Sequence, residues 1–297
     1  MKRFYLVVPF LLIPLLLGGC GPRPEMGTVV NRMMVSMSQV KQLEAVGQLK
    51  LAGTSDTAVF GGLKELMAEF TAKADIANLD NLKFSLLFNL SGQAAEGNTK
   101  IAAEVRGLSD YTYFRIQEAT TPSSVPLSLT SDARWYKVKN PETSTSNILG
   151  GGTRLTNDDG LKIRDLIKNA QLFTVQTVLG DETIKGVRSY HVAALIDQGA
   201  LANLLTAIQA ATNGRVKLDS VSTTKLATDY TYDLWISKRD YRLVKLVAHG
   251  NLAAAGQSES IVEVVLSRFD NPVSVAAPSE VKEFNLNDLL KSPLGQL

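Results

Sequence analysis

Hydrophobic and polar residues alternate through most of this chain. In Leu82–Leu90 the even positions are Leu82, Phe84, Leu86, Phe88 and Leu90, and the odd ones are Lys83, Ser85, Leu87 and Asn89. A period of two puts one set on a dry face and the other on a mostly wet face, which is the mark of a strand. Ile101, Ala103 and Val105 alternate in the same way against Ala102, Glu104 and Arg106. Further strands are expected at Tyr111–Gln117, at Arg134–Val138, around Phe173, Val175 and Leu179, and along Tyr190, Val192, Ala194 and Ile196. Tyr230, Tyr232, Leu234 and Ile236 alternate against Thr231, Asp233, Trp235 and Ser237. Ser237-Lys238-Arg239-Asp240 then reads as a turn into a paired strand from Arg242 to His249, and a last strand runs from about Ser260 to Phe269. Such alternation implies an antiparallel sheet covered on one face. Eight or more strands of this kind make a large, strongly twisted sheet that tends to curl.

Helical spacing is rarer. Val29, Val30, Met33, Met34, Met37, Val40 and Leu43 form one apolar stripe over Thr28–Leu43. Asp159 to about Asn169, with Asp158 or Asp159 as N-cap, and Gly199–Ala211 are the other two full helices, and Leu286–Leu290 adds a short terminal one. Gly61–Phe70 is ambiguous, because Leu63, Leu66, Met67 and Phe70 have helical spacing. The fold class expected is α+β: a large curled antiparallel sheet with a few helices in its mouth. Segments rich in Thr, Ser, Pro and Gly at Thr120–Thr130 and Asn140–Thr156 read as loops.

The N-terminus is of a different kind. Lys2 and Arg3 precede an apolar run from Phe4 to Leu17, and small residues follow. These are the parts of a bacterial export signal, and the run is shorter than the ~20 residues a membrane-crossing helix needs. The single cysteine, Cys20, closes the segment Leu17-Gly18-Gly19-Cys20. An ordinary secretory signal ending by chance in Cys is the alternative to a lipid-attachment site. With one Cys no intrachain disulfide forms, so packing must stabilise the mature chain. Lys and Arg number 31 against 29 Asp and Glu, interspersed, which argues against a nucleic-acid partner.

No catalytic constellation stands out. His191 and His249 are the only histidines, and neither has a second His or a carboxylate at metal-ligand spacing in sequence. Gly-x-Ser-x-Gly is absent, and Gly150-Gly151-Gly152 is followed by Thr153-Arg154, not by the Lys-Ser/Thr of a phosphate loop. Asp158-Asp159 reads more simply as helix capping than as an acid–base pair. Arg115, Arg134 and Arg268 are candidates for holding an anionic head group, or are plain strand arginines facing water. Neither a cofactor nor a metal is implied. A curled sheet with one apolar face and few helices leaves concave apolar volume, which acyl chains fill at about 0.8 kcal/mol per buried methylene. The candidate lining residues are Phe84, Leu86, Phe88, Tyr232, Leu234 and Ile236, with Met33, Met34 and Met37 from the first helix; each also suits a plain core.

Several local motifs point the same way. They are Gly186-Val187-Arg188-Ser189-Tyr190-His191-Val192; Asp233-Leu234-Trp235-Ile236-Ser237 with Tyr241-Arg242-Leu243-Val244-Lys245; and Ser267-Arg268-Phe269-Asp270-Asn271-Pro272-Val273 with Ala277-Pro278. In this order behind a lipobox-like Leu-Gly-Gly-Cys, they resemble the mycobacterial-type LppX/LprG lipoprotein family and its LolA/LolB-like relatives. The likeness covers most of the mature chain and is best over Asp181–Pro278. It implies cleavage before a diacylated Cys20, a half-barrel sheet around helices, and an apolar cavity that binds or ferries lipids, lipoglycans or lipoproteins in the cell envelope. On this reading residues 1–19 are the signal peptide, 20–27 a lipidated tether and 28–297 one lipid-binding domain. Anchoring at Cys20 would place the chain on the outer face of the cytoplasmic membrane, or on the outer membrane facing the periplasm if there are two, with an envelope transporter or lipoprotein as a further partner. The segments Thr54–Leu79 and Asn140–Thr156 depart from the mycobacterial members and leave the ligand open. The alternatives are a sensor or scaffold module of the same fold with a filled core, and an enzyme whose site the sequence does not reveal.

Overall fold

A computed structural model describes residues 24–52, 63–94, 97–108, 110–120, 133–140, 155–216, 229–252 and 258–284. The signal region, Cys20, the triple glycine at 150–152 and the terminal helix expected at Leu286–Leu290 lie outside the described residues. In chain order the elements are α1 (Met26–Ser38), β1 (Gln42–Ala52), β2 (Leu63–Asp75), β3 (Lys83–Ala94), β4 (Gly97–Gly107), β5 (Tyr111–Thr120) and β6 (Trp135–Lys139). There follow α2 (Asn157–Asn169), β7 (Phe173–Ile184), β8 (Val187–Ile196), α3 (Gln198–Ala211), β9 (Tyr230–Ser237), β10 (Leu243–Leu252), β11 (Ser258–Ser267) and β12 (Val281–Glu283). A 3-10 turn at Leu79–Asn81 joins β2 to β3.

All twelve strands form one open, curled sheet in the order β12-β6-β5-β4-β3-β2-β1-β11-β10-β9-β8-β7. Every pair is antiparallel except β12 with β6. The fold is thus α+β, as the alternation implies. Residues directly opposite each other share a face, so the register draws the inner face row by row. One row runs Val192, Leu234, Leu246, Val264, Gly47, Phe70, Phe88 and Ala103. The row beside it includes Leu266, Ala45, Ala72, Leu86, Val105, Phe114 and Tyr136. Large residues lean over small ones: a Cβ added to Gly47 would lie 2.3 Å from the Phe70 ring, and one on Gly107 would lie 1.9 Å from that of Phe84. Aromatic rings laid over strand glycines in this way hold register and permit bending.

α2 and α3 begin where the sequence provides caps. Thr156 and Asp159 form a reciprocal capping box at the start of α2, so this helix begins one half-turn earlier than expected, with Thr156 and not Asp158 or Asp159 as N-cap. Asp197 Oδ1 accepts from the Ala200 backbone N–H at 2.7 Å and caps α3. α1 ends at Ser38, not Leu43, because Leu43 already pairs with Ala74 in the sheet. Of the ambiguous segment at Gly61–Phe70, the described part from Leu63 onward is strand β2: Leu66, Ala68, Phe70, Ala72 and Ala74 take the inner face, and Met67 faces outward. At the β7–β8 hairpin Lys185 and Gly186 have φ of 47° and 84°. Positive φ at both central residues of a two-residue loop matches the right-handed twist of its strands.

Candidate functional site

The inner face falls into two parts. Over β8 and β9 it is closed. The apolar stripe of α1, comprising Met26, Val29, Val30, Met33 and Met34, meets Val192, Ala194, Leu234 and Ile236 in one buried cluster. Leu234 and Ile236 are 0% exposed and Met33 2%. Met37, Tyr190, Tyr232, Phe173, Val175 and Leu246 are partly buried around its margin. Burial raises the Tyr232 hydroxyl to about pKa 12, with the neighbouring Tyr230 adding to the shift.

Over β2 to β4 the same rows are not sealed. Phe70, Phe84, Leu86, Phe88, Leu90 and Val105 are all inner-facing, and all are partly exposed. Beyond them, at the far edge, Phe114 stacks on Tyr136 with centroids 5.5 Å apart, and Phe284 stands edge-on to both at 5.1 and 5.9 Å. An accessible apolar strip therefore lies between the α1 cluster and this aromatic trio. Of the candidate lining residues, the structure gathers Met33, Met34, Leu234 and Ile236 into the closed core and sets Met37 and Tyr232 at its margin. Phe84, Leu86 and Phe88 lie together on β3, along the open strip.

The outer face carries features the sequence did not single out. A cleft of about 640 Å³ crosses the outer side of β1–β4, lined among others by Lys50, Met67, Ser91, Gln93, Asn98 and Lys100. A second, of about 290 Å³, lies beside it among Val46, Gln48, Glu69, Leu87, Asn89 and Val265. Val46, Met67 and Leu87 are 46%, 37% and 36% exposed, and all three line these clefts. A third cleft, of about 310 Å³, separates α1 from the end of α2.

The titratable groups are drawn into ion pairs. Asp159 is fully buried and accepts from Arg215 at 2.5 and 3.0 Å. The Arg215 guanidinium first, then the Thr156 N–H and hydroxyl, outweigh burial and lower its carboxyl to about pKa 2. Arg115 and Arg106 both bond Glu104, and their guanidinium groups lie 4.7 and 4.6 Å from the centre of the Trp135 ring; Arg268 lies 3.3 Å from Glu44. The three candidate head-group arginines are thus not gathered into one site: Arg115 and Arg268 are each paired with a different carboxylate, on different strands.

Strand register also joins what sequence spacing separates. His191 and His249 flank Asp233 across β8, β9 and β10, each with Nε2 3.8 Å from one of its oxygens. His191 stacks on Trp235 at 4.0 Å, and its Nδ1 lies 2.7 Å from Glu182, which also accepts from Trp235 Nε1 at 2.9 Å. Those two bonds, Trp235 first, lower the Glu182 carboxyl. Among the described residues no group of three or more His, Cys, Asp or Glu is placed to hold a metal. None of the described helices is long and apolar enough to cross a membrane.

No protein-family model and no curated protein matches the chain. Among solved structures it is similar to LprF from Mycobacterium bovis, at 15% identity, with 87% of this chain and 99% of that one covered and a TM-score of 0.48. Lipoprotein LppX from Mycobacterium tuberculosis is similar at 11% identity, with coverage of 84% and 98% and a TM-score of 0.34. A putative outer membrane lipoprotein-sorting protein domain from Vibrio parahaemolyticus is similar at 9% identity, with coverage of 84% and 93% and a TM-score of 0.24. The first two carry names from the lipoprotein family that the sequence resembles. Their superposition on this chain is loose, and the assignment of fold rests on the twelve-stranded sheet itself.

Proposed function

We propose that this chain is a lipid-anchored protein of the bacterial envelope that holds acyl chains against the inner face of β2–β4, either to bind or to transfer them. Residues 28–297 are read as one lipid-binding domain, tethered through residues 20–27 to a diacylated Cys20. The observation that carries this reading is the unequal sealing of one continuous apolar surface. Leu234 and Ile236 are shut away under α1, while Phe84, Leu86 and Phe88 on the same face remain accessible. Partly exposed apolar side chains gain about 25 cal/mol for every Å² a ligand covers. Binding of that kind needs no catalytic group. Phe84, Leu86 and Phe88 are the proposed acyl contacts, with Met37 and Tyr232 at the boundary. Met33, Met34, Leu234 and Ile236 support the wall.

The test is direct. Protein purified without its anchor should release lipid into organic extracts and take up a fluorescent acyl probe. Empty extracts and no uptake by a folded sample would overturn the reading. Cys20→Ala should abolish retention on salt-washed membranes. A second reading, a sensor or scaffold that grips a protein partner, is favoured by one observation: Val46, Met67 and Leu87 line the outer clefts exposed. Partner capture that persists when the inner strip is blocked would support it.

A further inference from the structure

The cleft between α1 and the end of α2 is lined mainly by polar and basic side chains. Its walls are Thr28, Asn31, Arg32 and Val35 from α1, and Lys168, Asn169, Ala170 and Gln171 from the end of α2. Positions 28, 31, 32 and 35 share one face of a helix, the face turned away from the buried Val29, Val30 and Met33. The lining holds two cations, three side-chain amides and no carboxylate. Arg32 is held in place: its Nη1 donates to Tyr241 Oη at 2.9 Å, and its guanidinium lies 5.0 Å from the centre of that ring. Among the described residues Lys168 has no ion pair. Its ammonium also offsets the negative end of the α2 dipole, which would otherwise repel an anion.

Position in the chain supplies the second argument. A lipid on Cys20 sits in the bilayer, and an extended chain from Cys20 to Met26 reaches at most ~20 Å. Thr28, Asn31 and Arg32 lie in the first two turns of α1, just beyond that reach. The cleft is thus kept within a short distance of the head groups of the leaflet that carries the anchor. From these observations we infer that the α1–α2 cleft docks on the membrane surface by taking the phosphate of an anionic phospholipid between Arg32 and Lys168, with Asn31, Asn169 and Gln171 as hydrogen-bond donors. The inference rests on the lipid anchor at Cys20, though not on acyl binding by the inner strip. Docking fixes which way the half-barrel faces. Two basic residues near an anionic surface give weak binding alone, and the anchor makes the contact effectively intramolecular.

The test uses the lipidated full chain with a fluorophore at Asp165→Cys, an exposed position on α2 outside the cleft. Quenching by a head-group-labelled lipid is read in vesicles of phosphatidylcholine alone and in vesicles containing phosphatidylglycerol. Quenching should be stronger with phosphatidylglycerol and should weaken as salt is raised. Lys168→Gln breaks no packed contact and should lower the docking constant by about fivefold, and Arg32→Gln added to it by about the same factor again. Equal quenching in both vesicle types, or no effect of Lys168→Gln on a chain whose melting is unchanged, overturns the inference. A chain that does not float with vesicles removes the anchor and the inference together. Acyl-probe uptake in the same sample is a separate readout, so failure of docking and failure of lipid binding are distinguishable.

Discussion

The two halves of the sheet are built from the same alternating strands and end in opposite states. Over β8 and β9 the inner face is covered by α1, and Val192, Ala194, Leu234 and Ile236 are at most 1% exposed. Over β2–β4 the inner face holds Phe70, Phe84, Phe88 and Leu90, larger side chains than Val192 or Ala194, yet these remain partly exposed. Hydrophobicity therefore does not decide which part is core. The position of one helix decides it. A continuous apolar row that is sealed at one end and open at the other separates stability from binding: the sealed end should carry the first and the open end the second.

The largest effect that would sharpen this contrast is expected at Leu234. Leu234→Ala leaves a cavity under α1 and should cost about 3 kcal/mol in denaturant unfolding, within the usual range for a buried leucine. Acyl-probe affinity per folded molecule should stay close to that of the parent. A strong loss of affinity in the folded variant would show that the sealed end takes part in binding.

Next comes the Asp159–Arg215 pair. Asp159→Asn weakens a charged hydrogen bond at a buried site and half of a capping box, and should cost about 2 kcal/mol at neutral pH. The pH dependence has a definite sign. The carboxyl is lowered from 3.8 to about 2, so its contribution is fully present above pH 4 and is lost as pH falls towards 2. Parent and variant should therefore unfold at clearly different denaturant midpoints at pH 7 and converge near pH 2. A gap that persists there would mean that Asp159 acts through shape and not charge.

These features were unequally legible in the sequence. Leu82–Leu90 announced itself because a large apolar residue stands at every even position. β2 did not: its inner Ala68, Ala72 and Ala74 are small, and its outward Met67 falls into helical spacing with Leu63, Leu66 and Phe70. β1 escaped notice for a related reason, since Ala45 and Gly47 are its central inner residues and Val46 faces water. The closed and open halves were not separable at all. Phe88 and Leu234 look alike as letters, and only the placement of α1 distinguishes them. The Asp233 carboxylate between His191 and His249 depends on register across three strands, which no local spacing encodes.

At the open end the order of effects should reverse. Phe88→Ala removes a side chain that solvent already reaches, so its stability cost should be about 1 kcal/mol. Its effect on uptake should be larger: losing about 50 Å² of ligand contact corresponds to roughly tenfold weaker binding. Titration of a fluorescent acyl probe into parent, Phe88→Ala and Leu234→Ala reads both halves in one experiment. If Phe88→Ala lost stability as heavily as Leu234→Ala and bound normally, the strip would be ordinary core.

The smallest effect is expected on the outer face, and it is informative for that reason. Val46 faces water at the centre of β1, opposite in direction to its neighbours Ala45 and Gly47. Val46→Thr keeps the β-branched shape that a strand favours and exchanges one methyl for a hydroxyl. Stability should change by less than about 0.5 kcal/mol, as for most surface substitutions. Acyl uptake should not change, because the side chain projects from the far side of the sheet. Weakened uptake in this variant would place the acyl chain in the outer clefts beside Met67 and Leu87, and the functional face of the sheet would have to be turned over.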